Sequence, residues 1–172
     1  MGKKNIEKFS KNEIENMKNL NHPNLIQLIE HFETDSDIFL VLPFMEGGDA
    51  FRYLKKHKIS ENDLFFLSIQ LLCGLKCLAD QKILHRDVKL ENMLLSNNGE
   101  TIVISDFGFS KEESEGGMTH CGTYTTMAPE VYQHSHYTFK VDVYSLGVCL
   151  YCLFAGESYY KKKDSINAIK LT

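Results

Sequence analysis

The sequence contains no tryptophan and only three prolines in 172 residues, with no repeats or low-complexity tracts. Collagen-like, proline-rich and linker-like compositions are thereby excluded. A basic surplus is missing too. Lysine and arginine number 19 against 23 aspartates and glutamates, a formal net charge of −4. Nucleic-acid binders carry a basic footprint, so no nucleic acid is expected as a partner. No apolar run approaches the ~18 residues of a membrane span. The start MGKKNIEKFS lacks the apolar stretch of a secretory signal. No membrane span is expected. The five cysteines are odd in number, which with no secretory signal points to reduced thiols in the cytoplasm or nucleus. Cys149 and Cys152 have CxxC spacing, yet they sit in VDVYSLGVCLYCLF, an apolar stretch of helical length. Core packing is the expected role there, not zinc or redox chemistry.

What is present is ordinary for a globular domain: 43% hydrophobic and 24% charged residues. SKNEIENMKNLNHPN predicts a helix with Ile14, Met17 and Leu20 on one face, ended by His22-Pro23. LIQLIEHF and DIFLVLPF predict two strands joined by the turn ETDSD. AFRYLKKH predicts a short helix. Ser60, with Asp63 three residues on, predicts the start of a long one. Leu64, Leu67, Leu71, Leu75 and Leu78 hold one face of that helix. MLLS and TIVIS, around NNGE, predict another hairpin. An irregular loop is expected from Asp106 to near Glu130, and a helix over 141–155. The order is a small mixed part followed by a mostly helical part, an α+β class.

ILHRDVKLENMLL, residues 83–95, sets Arg86, Asp87, Lys89, Glu91 and Asn92 between apolar flanks. Short strands at either side would hold such a polar loop rigid. Asp87 can accept or orient a hydroxyl proton, and Lys89 can neutralise phosphate oxygens. Asn92 offers a carbonyl oxygen to a hard cation such as Mg²⁺. Fourteen residues on stands Asp106-Phe107-Gly108. Its carboxylate supplies a second metal ligand, and Gly108 lets the backbone turn.

His85-Arg86-Asp87 with Asn92, Asp106-Phe107-Gly108, and Ala128-Pro129-Glu130 come in the order and on the loops of the eukaryotic protein kinases. DVYSLGV, NHPNLIQL and LVLPFMEGGD add to the match. Each tripeptide alone has a bland reading as a turn or a surface carboxylate, but the ordered set resembles that family over essentially the whole chain. The resemblance implies a two-lobed fold, with residues 1–45 as an N-lobe remnant and hinge and 46–172 as a partial C-lobe. It implies ATP and Mg²⁺ as cofactors and proteins with Ser or Thr hydroxyls as substrates.

Lys89 and Cys121-Gly122-Thr123 resemble the serine/threonine branch, in which Thr123 joins Asp87 and Lys89. Leu42 takes the gatekeeper place. The Pro43 carbonyl and the Met45 N–H would face adenine, with Leu94 beneath. Met17, Leu28, His85 and Phe107 resemble the apolar spine that links the lobes. Asp142 would brace the catalytic loop, and Glu130 belongs to the segment after it. Thr119 matches the activating phosphothreonine, to be modified by an upstream kinase and paired by Arg86 and Lys111. Asp49 has two readings, an acid facing a substrate arginine or a helix N-cap.

Glu13 matches the family's helix glutamate, but no Gly-rich loop or strand lysine precedes it; Lys3 and Lys4 lie too close to be assigned. The 172-residue chain is therefore expected to turn over poorly by itself. The competing reading is a non-catalytic, pseudokinase-like or truncated binding module.

Overall fold

The computed structural model describes residues 14–34, 37–57, 59–112 and 122–155, except the side chains of Leu54 and Glu112. Helix α1 covers residues 14–19 and buries Ile14 and Met17, with Leu20 buried just beyond its end. After His22-Pro23 the chain crosses the molecule in extended form. Ile26 N–H donates to the Ile104 carbonyl at 2.8 Å, and Ile104 N–H to the Asn24 carbonyl at 2.9 Å. The first half of the expected strand LIQLIEHF thus serves as a cross-link to the later hairpin. Only β1 (Glu30–Glu33) enters a ladder, antiparallel to β2 (Ile38–Val41), with Glu30 opposite Val41.

β3 (Gly48–Asp49) leads into α2 (Ala50–Lys56). Asp49 Oδ1 accepts from Arg52 N–H at 2.8 Å, and its other oxygen lies 3.3 Å from Arg52 Nε. The structure therefore takes the N-cap reading of Asp49. The Ser60 hydroxyl caps α3 (Glu61–Asp80), accepting from Asp63 N–H at 3.1 Å. Leu64, Leu67, Leu71, Leu75 and Leu78 are all buried, so the 3.6-residue period marks the core face as the sequence predicted. In length and hydropathy α3 could cross a membrane, but this leucine face packs on β6 and α5 inside the protein.

β4 (Ile83–Leu84) enters the polar loop, and a 3₁₀ turn (Leu90–Asn92) leaves it into β5 (Met93–Leu95). β5 pairs antiparallel with both β3 and β6 (Ile102–Ile104). The loop expected to be irregular from Asp106 onward contains a strand, β7 (Lys111–Glu112), antiparallel to β4. Two residues are too few to show a period, which is why the sequence reading missed it. α4 (Pro129–Tyr132) carries its proline in the first turn, and α5 (Lys140–Ala155) closes the described chain. The main core joins α1, α3, α5 and the β5–β6 hairpin; a smaller one gathers Leu84, Met127, Val131, Tyr137 and Val141.

Candidate active site

The β5–β6 register fixes the first part of the site. Met93 lies opposite Ile104, which sets Asn92 beside Ser105. Ser105 donates to the Asn92 carbonyl through both its N–H (2.8 Å) and its hydroxyl (3.0 Å). Asp106 follows at once, in the left-handed region with φ 66°. This is how two oxygen donors distant in sequence come to neighbouring strand ends. The Asn92 amide donates to the Asp87 carbonyl at 2.9 Å and to its carboxylate at 3.1 Å, which orients the amide oxygen away from them. Asp106 is exposed, with Oδ1 accepting from Gly108 N–H at 3.3 Å.

The polar loop is built on α5. Asp142, buried in that helix's first turn, accepts from His85 N–H and Arg86 N–H, both at 2.8 Å. Burial pushes its carboxyl above the usual range, against the His85 and Arg86 contacts that lower it. Arg86 has φ 69°, a conformation that a non-glycine residue holds only where its surroundings impose it. Its Nε donates to the Phe109 carbonyl at 2.6 Å. Its Nη1 is buried with no hydrogen-bond partner among the described residues. The His85 ring, fully buried, spans the Ser105 carbonyl at Nε2 (3.0 Å) and Asp87 N–H at Nδ1 (3.3 Å). Those contacts assign the proton to Nε2.

Asp87 is the centre of the polar cluster and only 2% exposed. One carboxylate oxygen accepts from Lys89 Nζ at 2.5 Å, the other from the Thr123 hydroxyl at 2.8 Å. Lys89 also reaches Thr123 at 3.3 Å. A buried carboxylate needs such pairing and hydrogen bonding to remain charged. Gly122 brings Thr123 into place: its φ is 101°, and a Cβ there would run into the Arg86 carbonyl oxygen. The structure thus joins Asp87, Lys89, Asn92 and Thr123 by direct hydrogen bonds.

The Phe107 ring lies 5.2 Å from His85 and shares the main core with Met17, and Leu28 packs against that core. Met45 in the hinge and Leu94 in β5 pack partly buried on the same core, and Leu42 remains 38% exposed. Glu130 lies in the first turn of α4, after Pro129, and is half-buried. Cys149 is buried, and burial pushes its thiol up to about 12, in keeping with a core role. Glu13, Thr119 and Cys121 lie outside the described residues.

Sequence reasoning missed three supports of the site: the Ser105 carbonyl, the Phe109 carbonyl, and Asn16, whose amide donates to the Ser110 hydroxyl at 2.9 Å. The two carbonyls carry no side-chain signal. Ser110 could have been suspected as a small polar residue three after Phe107, whose carbonyl its hydroxyl meets at 2.7 Å.

Asp87 held between Lys89 and Thr123, with Asn92 and Asp106 at neighbouring strand ends, is the arrangement that the protein kinase resemblance implies. The protein kinase domain model matches residues 2–172, and the chain belongs to that family. It is 36% identical over 163 residues to the cell cycle serine/threonine-protein kinase CDC5/MSD2 of Saccharomyces cerevisiae, covering 91% of this chain and 23% of that protein. It is 40% identical over 159 residues to calcium/calmodulin-dependent protein kinase type 1 of Macrobrachium nipponense, covering 90% and 46%. Against serine/threonine-protein kinase ATG1b of Arabidopsis thaliana the identity is 35% over 172 residues, covering 97% and 24%. The chain spans less than half the length of each of these relatives.

Proposed function

We propose that the protein is a serine/threonine kinase that transfers the γ-phosphoryl group of ATP to Ser or Thr hydroxyls of protein substrates. The observation that carries this reading is the Asp87–Lys89–Thr123 cluster set beside Asn92 and Asp106. Asp87 would accept a hydrogen bond from the substrate hydroxyl and aim it. Lys89, already neutralising Asp87, would bring positive charge toward the transferred group. Thr123 would hold both in register.

The side-chain oxygens of Asn92 and Asp106 suit Mg²⁺, which favours oxygen ligands and takes few from protein. Bound Mg-ATP supplies the phosphoryl group, and the ion neutralises phosphate charge. Leu42, the Pro43 carbonyl, Met45 N–H and Leu94 would receive the adenine. Positioning and fixed charge do most of the catalytic work in such a site. Four free thiols among the described residues suit a cytoplasmic setting.

Thr119 is proposed as the regulatory acceptor of an upstream kinase. Arg86 supports this, because its buried Nη1 has no partner among the described residues. Against the non-catalytic reading, Asp87, Lys89, Asn92, Asp106 and Thr123 are all present.

The test is radiolabel transfer from Mg-ATP to Ser/Thr peptides by the full-length protein. Asp87→Asn is expected to lower turnover by at least ~100-fold, and Asp106→Asn to abolish it. Activity close to wild type in either variant, with folding confirmed by circular dichroism, would overturn the assignment.

A further inference from the structure

The turn that carries Asp106 is held from a side that the catalytic cluster does not supply. Residues 107–110 close on the Phe107 carbonyl, which accepts twice from Ser110: from its N–H at 2.8 Å and from its hydroxyl at 2.7 Å. Asp106 precedes Phe107 directly, with φ 66°, a conformation that a non-glycine residue keeps only under constraint. Its carboxylate accepts from Gly108 N–H at 3.3 Å, inside the same turn. The aim of that carboxylate therefore depends on the turn as a unit.

Ser110 is only 7% exposed, and it is met by a residue 94 positions earlier in the chain. Asn16 on α1 donates from Nδ2 to the Ser110 hydroxyl oxygen at 2.9 Å. The direction of this bond is fixed by its neighbours. The one hydroxyl hydrogen of Ser110 is committed to the Phe107 carbonyl, so its oxygen can only accept. Asn16 therefore turns its NH₂, not its oxygen, toward the turn. Asparagine is a weak helix former, so α1 gives up helix propensity at this position. The next residue, Met17, is buried in the same core as Phe107. α1 thus holds the turn in two ways, through a shared core and through one directed hydrogen bond.

We propose that Asn16 is a positioning residue for Asp106, acting through Ser110 and the Phe107 carbonyl. Its amide holds the Ser110 hydroxyl in the orientation that closes the turn. The closed turn fixes where the Asp106 carboxylate stands relative to Asn92. The inference rests on the reading of Asp106 as a Mg²⁺ ligand.

Two variants of the full-length protein test this. Asn16→Asp keeps size and shape but sets an acceptor against an oxygen whose hydrogen is already committed. Asn16→Ala removes the donor and is the better helix former, so it cannot loosen the turn by weakening α1. Hydrogen exchange of the Ser110 amide, without nucleotide, is the first readout. Expected is exchange about fivefold faster in Asn16→Ala and at least about tenfold faster in Asn16→Asp, with residues 64–78 of α3 unchanged. On a Ser110→Ala background, either change at Asn16 should add less than about twofold. The second readout is Mn²⁺ binding in the presence of ADP, followed by electron paramagnetic resonance. It should weaken by at least about fivefold in Asn16→Asp. In phosphoryl transfer the Mg²⁺ needed for half-maximal rate should rise to a similar degree, while the KM for peptide stays constant. Wild-type exchange at Ser110 in both variants would overturn the proposal, as would equal effects with and without the Ser110 hydroxyl. So would a loosened turn with unaltered Mn²⁺ affinity. Should Asn16→Asp fail to fold, Asn16→Ala carries the same readouts. Wild-type protein that neither binds Mn²⁺ with ADP nor transfers phosphate would sink the kinase reading and this inference with it. Unchanged exchange sinks the inference alone.

Discussion

Removing the Asp142 carboxylate should loosen the catalytic loop from the helix that carries it. Two backbone N–H groups, of His85 and Arg86, donate to that carboxylate at 2.8 Å each. A buried donor left without a partner costs about 1–3 kcal/mol. The Arg86 group is only partly buried, and removing Asp142 also relieves the burial that pushes its carboxyl up. Asp142→Ala is therefore expected to cost about 2–4 kcal/mol. Asp142→Asn keeps one acceptor but turns an NH₂ toward the other donor, and about 1–3 kcal/mol is expected. Because burial raises the folded-state carboxyl, the folded protein takes up this proton at higher pH than the unfolded chain. The group's contribution is thus fullest below the ordinary value of 3.8 and is lost as pH rises through the raised one. Asparagine has no such slope, so its penalty should shrink between pH 4 and pH 7. Urea unfolding followed by far-ultraviolet circular dichroism, with the m-value checked for constancy, measures both effects. An alanine variant within about 0.5 kcal/mol of wild type would refute the reasoning, as would an asparagine penalty that grows with pH.

Gly122→Ala should displace Thr123 from Asp87, since the new Cβ meets the Arg86 carbonyl and φ is 101°. A loss of about 1–3 kcal/mol by urea unfolding, with reduced phosphoryl transfer, is expected; no change in either would contradict it. Alkylation by iodoacetamide at pH 8, mapped by mass spectrometry, should mark exposed Cys73 early and Cys149, with its thiol near 12, only on unfolding. Early labelling of Cys149 in native protein would show that the core around it opens. Phosphothreonine at Thr119, carrying about −1.5 to −2 charge, should raise activity through Arg86. A fully active Thr119→Ala variant that is never modified would end that idea.

Much of this was legible because it repeats or because it stands out chemically. The leucines from 64 to 78 fall on one helical face and are buried together. Asp87, Lys89, Asn92 and Thr123 were singled out by residue type and order, and they meet in one cluster. The Ser60 cap and both hairpins had local signals. What escaped depends on partners far along the chain. Leu25–Ile29 was expected as strand, but Ile26 bonds with Ile104 instead of entering the β1–β2 ladder. β7 exists only because β4 lies beside it. The positive φ of Arg86 and Asp106 is imposed by Asp142, by the Phe109 carbonyl and by the strand ends. None of these is written in the residue that adopts it.

The bond pair from His85 and Arg86 to Asp142 also makes α5 a reference frame. The loop's coordinates are set relative to one carboxylate rooted in the first turn of a 16-residue helix. A tilt of that helix would carry the loop with it, because two bonds to one carboxylate resist rotation as well as stretch. Leu146 and Leu153, buried further along α5, are thus alignment residues for the active site, and Cys149 meets its loop directly, its thiol donating to the Val88 carbonyl at 3.9 Å. Loss of volume at any of them should appear as a misaimed Asp87 before it appears as an unfolded protein.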